Sequence, residues 1–324
     1  MGCHARDDGH LVGWREIPAW RGNDMRETTL PPAPAQPTCS PMKRSLFKPK
    51  TWFAKGDEIS VLRLYGAIGA PRGIGGRTLS HPPLEKAIEA AFASKRVKAV
   101  ALAINSPGGA PGQSSLIARH IRRLADEKDI PVIAFCEDVA ASGGYLLACA
   151  ADEIWVNEYS IAGSIGVISA SFGAQEAIKR IGIERRVHTA GNHKVLMDPF
   201  REEKPEDIER LKSLQRDIHA RFIDWVKTSR RERLTGDEPL FEGDVWVGQR
   251  AVEVGLADGV GELRPVLQER FGKEITFRDH SGRKGGLVAR LLDRKITGEA
   301  IGAGATDAAA EAIESRLAWA RYGL

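Results

Sequence analysis

Three observations on the sequence predict an α/β fold. Apolar runs rich in β-branched residues, at 59–65, 97–104 and 132–135, have the length and composition of buried strands. Segments with helical spacing alternate with them, at 84–94, 114–128 and 144–151. Strands and helices in that alternation build β-α-β crossovers.

Each element has a local reason. The strand at 59–65 alternates apolar with polar residues and is closed by Gly66. Residues 69–80 hold four glycines and read as a mobile loop. The helix at 84–94 spaces Leu84, Ile88, Ala91 and Phe92 along one side, and that at 114–128 does the same with Leu116, Ile117, Ile121 and Leu124. Between them, the strand at 97–104 ends in the turn Asn105–Ser106–Pro107–Gly108–Gly109. After a short strand at 153–156, residues 162–168 read as a glycine-punctuated turn entering a strand, and 174–181 as a helix. Pro205 opens a long helix whose Ile208, Leu211, Leu214, Ile218, Phe222 and Trp225 are spaced for one buried face. Residues 243–261 read as a short helix and tight turn closing the domain.

Composition narrows the classes of function. The 42% hydrophobic and 28% charged residues in 324 are those of a globular protein with a real core. The net charge of +4 is small, and basic residues alternate with acids, so nucleic-acid binding has no support; a weak affinity for an acidic membrane surface stays open. Cys3, Cys39, Cys136 and Cys149 have no metal-ligand spacing and read as reduced thiols, which favours the cytoplasm. No window approaches the ~20 apolar residues of a membrane helix. Residues 1–58 read as a disordered extension with a Pro-rich stretch and an alternative natural start at Met42; residues 278–324 read as a linker and a C-terminal amphipathic helix that docks on its own body or a neighbouring subunit.

The chemistry centres on Ser142, on the turn between the strand at 132–135 and the Ala/Leu-rich helix that follows. A serine followed by Gly143 and Gly144 is ordinarily an N-cap with packing glycines, but it can also present a hydroxyl beside free backbone N–H groups. Acyl transfer requires such a nucleophile, a base that can be neutral, and donors for an oxyanion. The Gly108–Gly109 turn can aim one N–H and Gly143 another, each worth about 3 kcal/mol in a transition state. His188 and His193 are candidate bases in a Ser-His-Asp arrangement. Lys194 is the better one, since the Val195–Leu196–Met197 that follows offers an apolar setting that lowers a lysine's pKa.

Five blocks in order, Asn105 to Gly109, Ala141 to Tyr145, Gly163 to Val167, Gly191 to Lys194 and Gly255 to Asp258, resemble the signal peptide peptidase A (protease IV) family of serine peptidases in its short single-domain form. The resemblance spans residues 59–277. It implies a Clp-protease/crotonase-like fold of stacked β-β-α units and a Ser-Lys dyad that hydrolyses apolar or signal-peptide-like peptides without cofactor or metal. Ser142 then falls on the nucleophile, Lys194 on the base, Gly109 on the oxyanion glycine and Ser164 on the serine that orients the lysine. It also implies a homo-oligomeric ring or dome, with serine and lysine of one site drawn from adjacent subunits. The family carries an N-terminal membrane anchor where no such apolar stretch is read here, so a cytoplasmic protein, at most peripheral at the membrane, is expected. Two rival readings are a crotonase-like acyl-CoA enzyme working through acids such as Glu137 and Asp138, and a non-catalytic oligomeric scaffold that binds peptides. Mass spectrometry of the native N-terminus is expected to find Met42 first; peptides from residues 1–41 would refute that start.

Overall fold

The computed structural model describes residues 56–69, 79–191, 193–235, 239–281 and 316–323. Of the extension expected at 1–58 only residues 56–58 are described, and there Asp57 and Glu58 are buried, Glu58 already within the first strand; most of the glycine-rich loop and most of the C-terminal linker lie outside the described residues. Strand β1 (Glu58–Tyr65) is followed by α1 (His81–Ala91), β2 (Val97–Ser106), α2 (Pro111–Lys128), β3 (Val132–Ala141) and the short α3 (Gly143–Ala148). Next come β4 (Glu153–Val156), β5 (Ile161–Gly163), α4 (Gln175–Arg180) and the 26-residue α5 (Pro205–Arg230). The domain closes with β6 (Val245–Val247), α6 (Gln249–Glu253), β7 (Gly259–Val260), α7 (Leu263–Phe271) and β8 (Thr276–Asp279).

The strands form one sheet in the order β6-β5-β3-β2-β1-β8, with β4 on the first half of β3 and β7 on β4. Every pairing is parallel except β5 with β6. This is the α/β architecture expected from the alternation of elements. Parallel strands are covered on both faces, which is why β2 and the first half of β3 read as near-continuous apolar runs. Leu62, Leu64, Leu102, Ile104 and Val132 face the layer of α1, α2, α3 and α5, while Ile59, Val61, Ala101, Ile133 and Phe135 face α7 through Leu267 and Phe271.

One irregularity positions the site. Ile104 pairs with Cys136, but two residues on, Ser106 pairs with Ala140, so β3 carries extra chain at Glu137–Val139. Asn105 closes this bulge: its Nδ2 donates to Asp138 at 2.5 Å, and its Oδ1 accepts from the Val139 N–H at 3.3 Å. Beyond the bulge β3 exchanges β4 for β5 as neighbour and ends at Ala141, one residue before the candidate nucleophile.

Several sequence expectations need correction. At 161–168 the strand precedes the turn instead of following it. Leu116 of α2 is 51% exposed, and in α5 Leu214 and Ile218 are 53% and 37% exposed, so full burial along the apolar stripe of α5 begins only at Phe222. Helical periodicity identifies a face; it does not supply something to cover it.

A buried clamp holds α3 from behind. The Tyr145 hydroxyl donates to the Leu256 carbonyl at 2.7 Å, and Trp225 Nε1 donates to the Leu146 carbonyl at 3.1 Å. Arg230, 1% exposed, donates to the Gly255 carbonyl and to both carboxylate oxygens of Asp258, at 2.8, 2.8 and 3.0 Å. Burial opposes the Arg230 charge, but Tyr145 and Asp258 outweigh it and its pKa is raised. Asp258 also accepts from the Ile154 N–H at 2.7 Å. Removing one partner of a buried pair strands the other charge. Asp258→Ala is therefore expected to destabilise the fold by about 3–5 kcal/mol, whereas Glu127→Ala, which breaks the exposed Arg123–Glu127 pair, should cost less than about 1 kcal/mol. Urea unfolding of the two variants checks the contrast.

Candidate active site

Ser142 has φ +51 and ψ −120, a conformation that a residue with a side chain rarely adopts. Two backbone bonds hold it there: its N–H donates to the Gly163 carbonyl at 2.8 Å, and its carbonyl accepts from Leu146 at 3.0 Å. The strain, of order 1–3 kcal/mol, throws the side chain out of the strand line. As a result, half-buried Ser142 lines a cavity of about 940 Å³ together with Gly108, Gly109, Ser164 and His219.

The Gly108–Gly109 turn packs directly on this serine. A Cβ on Gly108 would lie 2.7 Å from the Gly143 nitrogen and 2.8 Å from Ser142 Cβ; one on Gly109, at φ +142, would lie 1.9 Å from the Ile68 carbonyl oxygen. Ile68 makes a parallel bridge centred on Gly109, donating to the Gly108 carbonyl at 2.7 Å and accepting from the Ala110 N–H at 2.8 Å. In such a bridge the central residue's own N–H faces the other way. Among the described residues neither the Gly109 nor the Gly143 N–H has a partner. The two groups are close, since a Cβ on Gly143 would stand 3.3 Å from the Gly109 nitrogen. With α3 only six residues long, these local donors matter more than any helix dipole.

Ser164 is the second serine on the cavity wall and also has positive φ, +52. Its N–H donates to the Asp244 carbonyl at 2.6 Å. Lys194 is elsewhere: it is exposed and does not line this cavity, and His193 lines a different one. The apolar setting expected around Lys194 is not present within the single chain. His188 does not line the cavity either. Glu137 and Asp138 line a third cavity, where Glu137 accepts from the Tyr65 hydroxyl at 2.5 Å and Asp138 from Asn105. The C-terminal residues Ala318, Arg321 and Tyr322 do line the Ser142 cavity, alongside Glu242 and His219. Sequence reasoning passed over His219; its one signal is its place three residues before Phe222 and seven before Val226, on the buried face of α5.

Fold and site together define an α/β protein with a hydroxyl on a strained turn beside two backbone donors that have no partner among the described residues. Residues 125–271 match the model of peptidase family S49. It is 35% identical over 216 residues to the chloroplastic serine protease SPPA of Arabidopsis thaliana, covering 65% of this chain and 32% of that protein. A Brucella abortus protein named Na(+)/H(+) antiporter NhaA is 47% identical over 291 residues, 85% of this chain and 38% of that protein. The chain thus spans between about a third and two-fifths of the length of these relatives. Among solved structures, a 1510-N membrane-bound stomatin-specific protease with a substrate peptide aligns at 14% identity and TM-score 0.41, covering 74% of this chain and 98% of that one.

Because glycine adopts the geometry of residue 142 without strain, Ser142→Gly is expected to raise stability by about 1 kcal/mol, or roughly 2–4 °C in melting temperature. Ser142→Ala should leave it nearly unchanged. Scanning calorimetry of both variants tests whether the turn stores strain.

Proposed function

We propose that the chain is a serine endopeptidase that cleaves apolar or signal-peptide-like peptides with a Ser-Lys dyad, Ser142 as nucleophile and Lys194 as base. The observation that carries the reading is the placement of Ser142 on its strained turn, facing a cavity beside the free N–H groups of Gly109 and Gly143. In the reaction, the neutral Lys194 amine takes the Ser142 proton as Oγ attacks the scissile carbonyl carbon. The oxygen of the tetrahedral intermediate gains negative charge between the two glycine N–H groups. Collapse breaks the C–N bond, and the lysine passes its proton to the departing amine. Lys194 then deprotonates a water that hydrolyses the ester, returning the proton to Ser142. Ser164 orients the lysine amine from the cavity wall.

The lysine comes from a neighbouring copy. Supporting this, Lys194 is exposed and away from Ser142 in its own chain, and it lies in a region, residues 164–218, that leaves Ile168, Phe172, Ile181 and Ile183 between 56% and 82% exposed. Apolar groups exposed on that scale mark an interface. A ring or dome of identical subunits would cover them and supply the apolar setting that frees the amine. The setting proposed is cytoplasmic, with at most peripheral membrane contact; no helix among the described residues is long and apolar enough to cross a membrane. The antiporter name belongs to a polypeptide more than twice as long as the matched segment, and antiport is not part of the reading. An acyl-CoA enzyme is less well supported, since neither Glu137 nor Asp138 lines the Ser142 cavity.

Ser142→Ala and Lys194→Ala should each lower peptide turnover by about 10⁴-fold or more. Dissociated and reassembled together, the two inactive variants should recover about a quarter of wild-type activity, because random heterologous interfaces reunite an intact serine with an intact lysine. No recovery would place both groups in one chain. Labelling of Ser142 by a fluorophosphonate separates the enzyme from a peptide-binding scaffold.

A further inference from the structure

The inward face of α5 brings a histidine against the segment that carries Ser164. His219 precedes the buried Phe222 by one turn and Val226 by two, where the helix emerges from the body of the domain. Its Nε2 stands 3.0 Å from the Ile165 carbonyl oxygen. A ring nitrogen facing a carbonyl oxygen must carry a proton, so Nε2–H donates to Ile165. The same ring lines the cavity of Ser142 and Ser164.

Three consecutive residues are thus pinned by three separate elements. The Gly163 carbonyl accepts from the Ser142 N–H, the Ser164 N–H donates to Asp244, and the Ile165 carbonyl accepts from His219. Ser164 at φ +52 holds a conformation that persists only under outside constraint. Inside the turn there is a single closing bond, from the Gly166 N–H to the Ser164 carbonyl at 2.9 Å. Two of the three outside pins are main chain to main chain and come with the sheet. The third depends on one side chain.

We propose that His219 is a positioning residue: its bond to Ile165 fixes the turn that keeps Ser164 on the wall of the Ser142 cavity, and through it the rate of the chemical step. This deepens the peptidase reading and rests on it. The full-length chain is compared with His219→Ala and with His219→Gln, whose amide N–H₂ can still donate to Ile165. Hydrogen exchange of the peptide covering residues 161–168 is measured beside kcat, KM and the melting temperature. The expected result for His219→Ala is faster exchange in that peptide and a kcat lower by between about tenfold and a hundredfold, with KM and melting temperature little changed. His219→Gln should restore both exchange and most of kcat. The proposal is overturned if exchange at 161–168 is unchanged in His219→Ala, if kcat is unaffected while exchange rises, or if glutamine fails to rescue. It is overturned equally if kcat falls only in step with melting temperature. A wild-type chain that turns over no peptide would refute the peptidase reading instead, while the exchange measurement still tests the pin.

Discussion

The site depends on one steric constraint: the turn after β2 and the turn after β3 touch where no side chain fits. Gly108 lies against Ser142 and the Gly143 nitrogen at distances that exclude a Cβ. That approach is available because both strands are parallel neighbours and end at the same edge of the sheet. It places a hydroxyl from one turn beside main-chain donors from both. Side-chain donors could have been placed there too, but they would cost rotamer entropy that backbone N–H groups, already fixed by the fold, do not.

The surrounding structure reads as support for that contact. Asn105 seals the bulge that redirects β3 toward it, and Ser106 Oγ donates to the Gly66 carbonyl at 2.7 Å while accepting from the Gly108 N–H at 3.2 Å, tying the glycine turn to the end of β1. From behind, Tyr145, Trp225 and the Arg230–Asp258 pair fix α3. The block from Gly255 to Asp258 is therefore structural in its contacts: Gly255 and Leu256 offer carbonyls, and Asp258 offers its carboxylate, to groups that hold the helix after Ser142. Cys149 beside this clamp is free and buried, its thiol pushed up to about 12 by burial.

Much of this was legible in the residues, for identifiable reasons. β2 and the first half of β3 are near-continuous apolar runs because both sheet faces are covered, and their length and β-branched content mark them as strands. The serine turn and the paired glycines were found because close backbone contact selects glycine. The second half of β3 was hidden, since Glu137 and Asp138 interrupt its pattern and the bulge that accommodates them depends on Asn105, over 30 positions away in the chain. The positive φ of Ser142 and Ser164 has no signature in residue type. Leu214 and Ile218 obeyed the helical period yet stayed uncovered, because what buries a stripe is decided by other parts of the chain or by other chains. His219 was overlooked for the converse reason: a polar residue in an apolar stripe carries no mark of the carbonyl it will meet.

The backbone of residue 142 has a consequence for what this position can carry. The direction of its Cβ is set by a main-chain angle and by two main-chain bonds, not by the identity of the side chain. The turn behaves as a fixed mount, aiming whatever atom follows Cβ into the same volume of the cavity. A thiol would be delivered along the same line as the natural oxygen, and a fluorinated or spin-bearing group attached to it would report on the interior of the groove from the vantage point of the reactive atom.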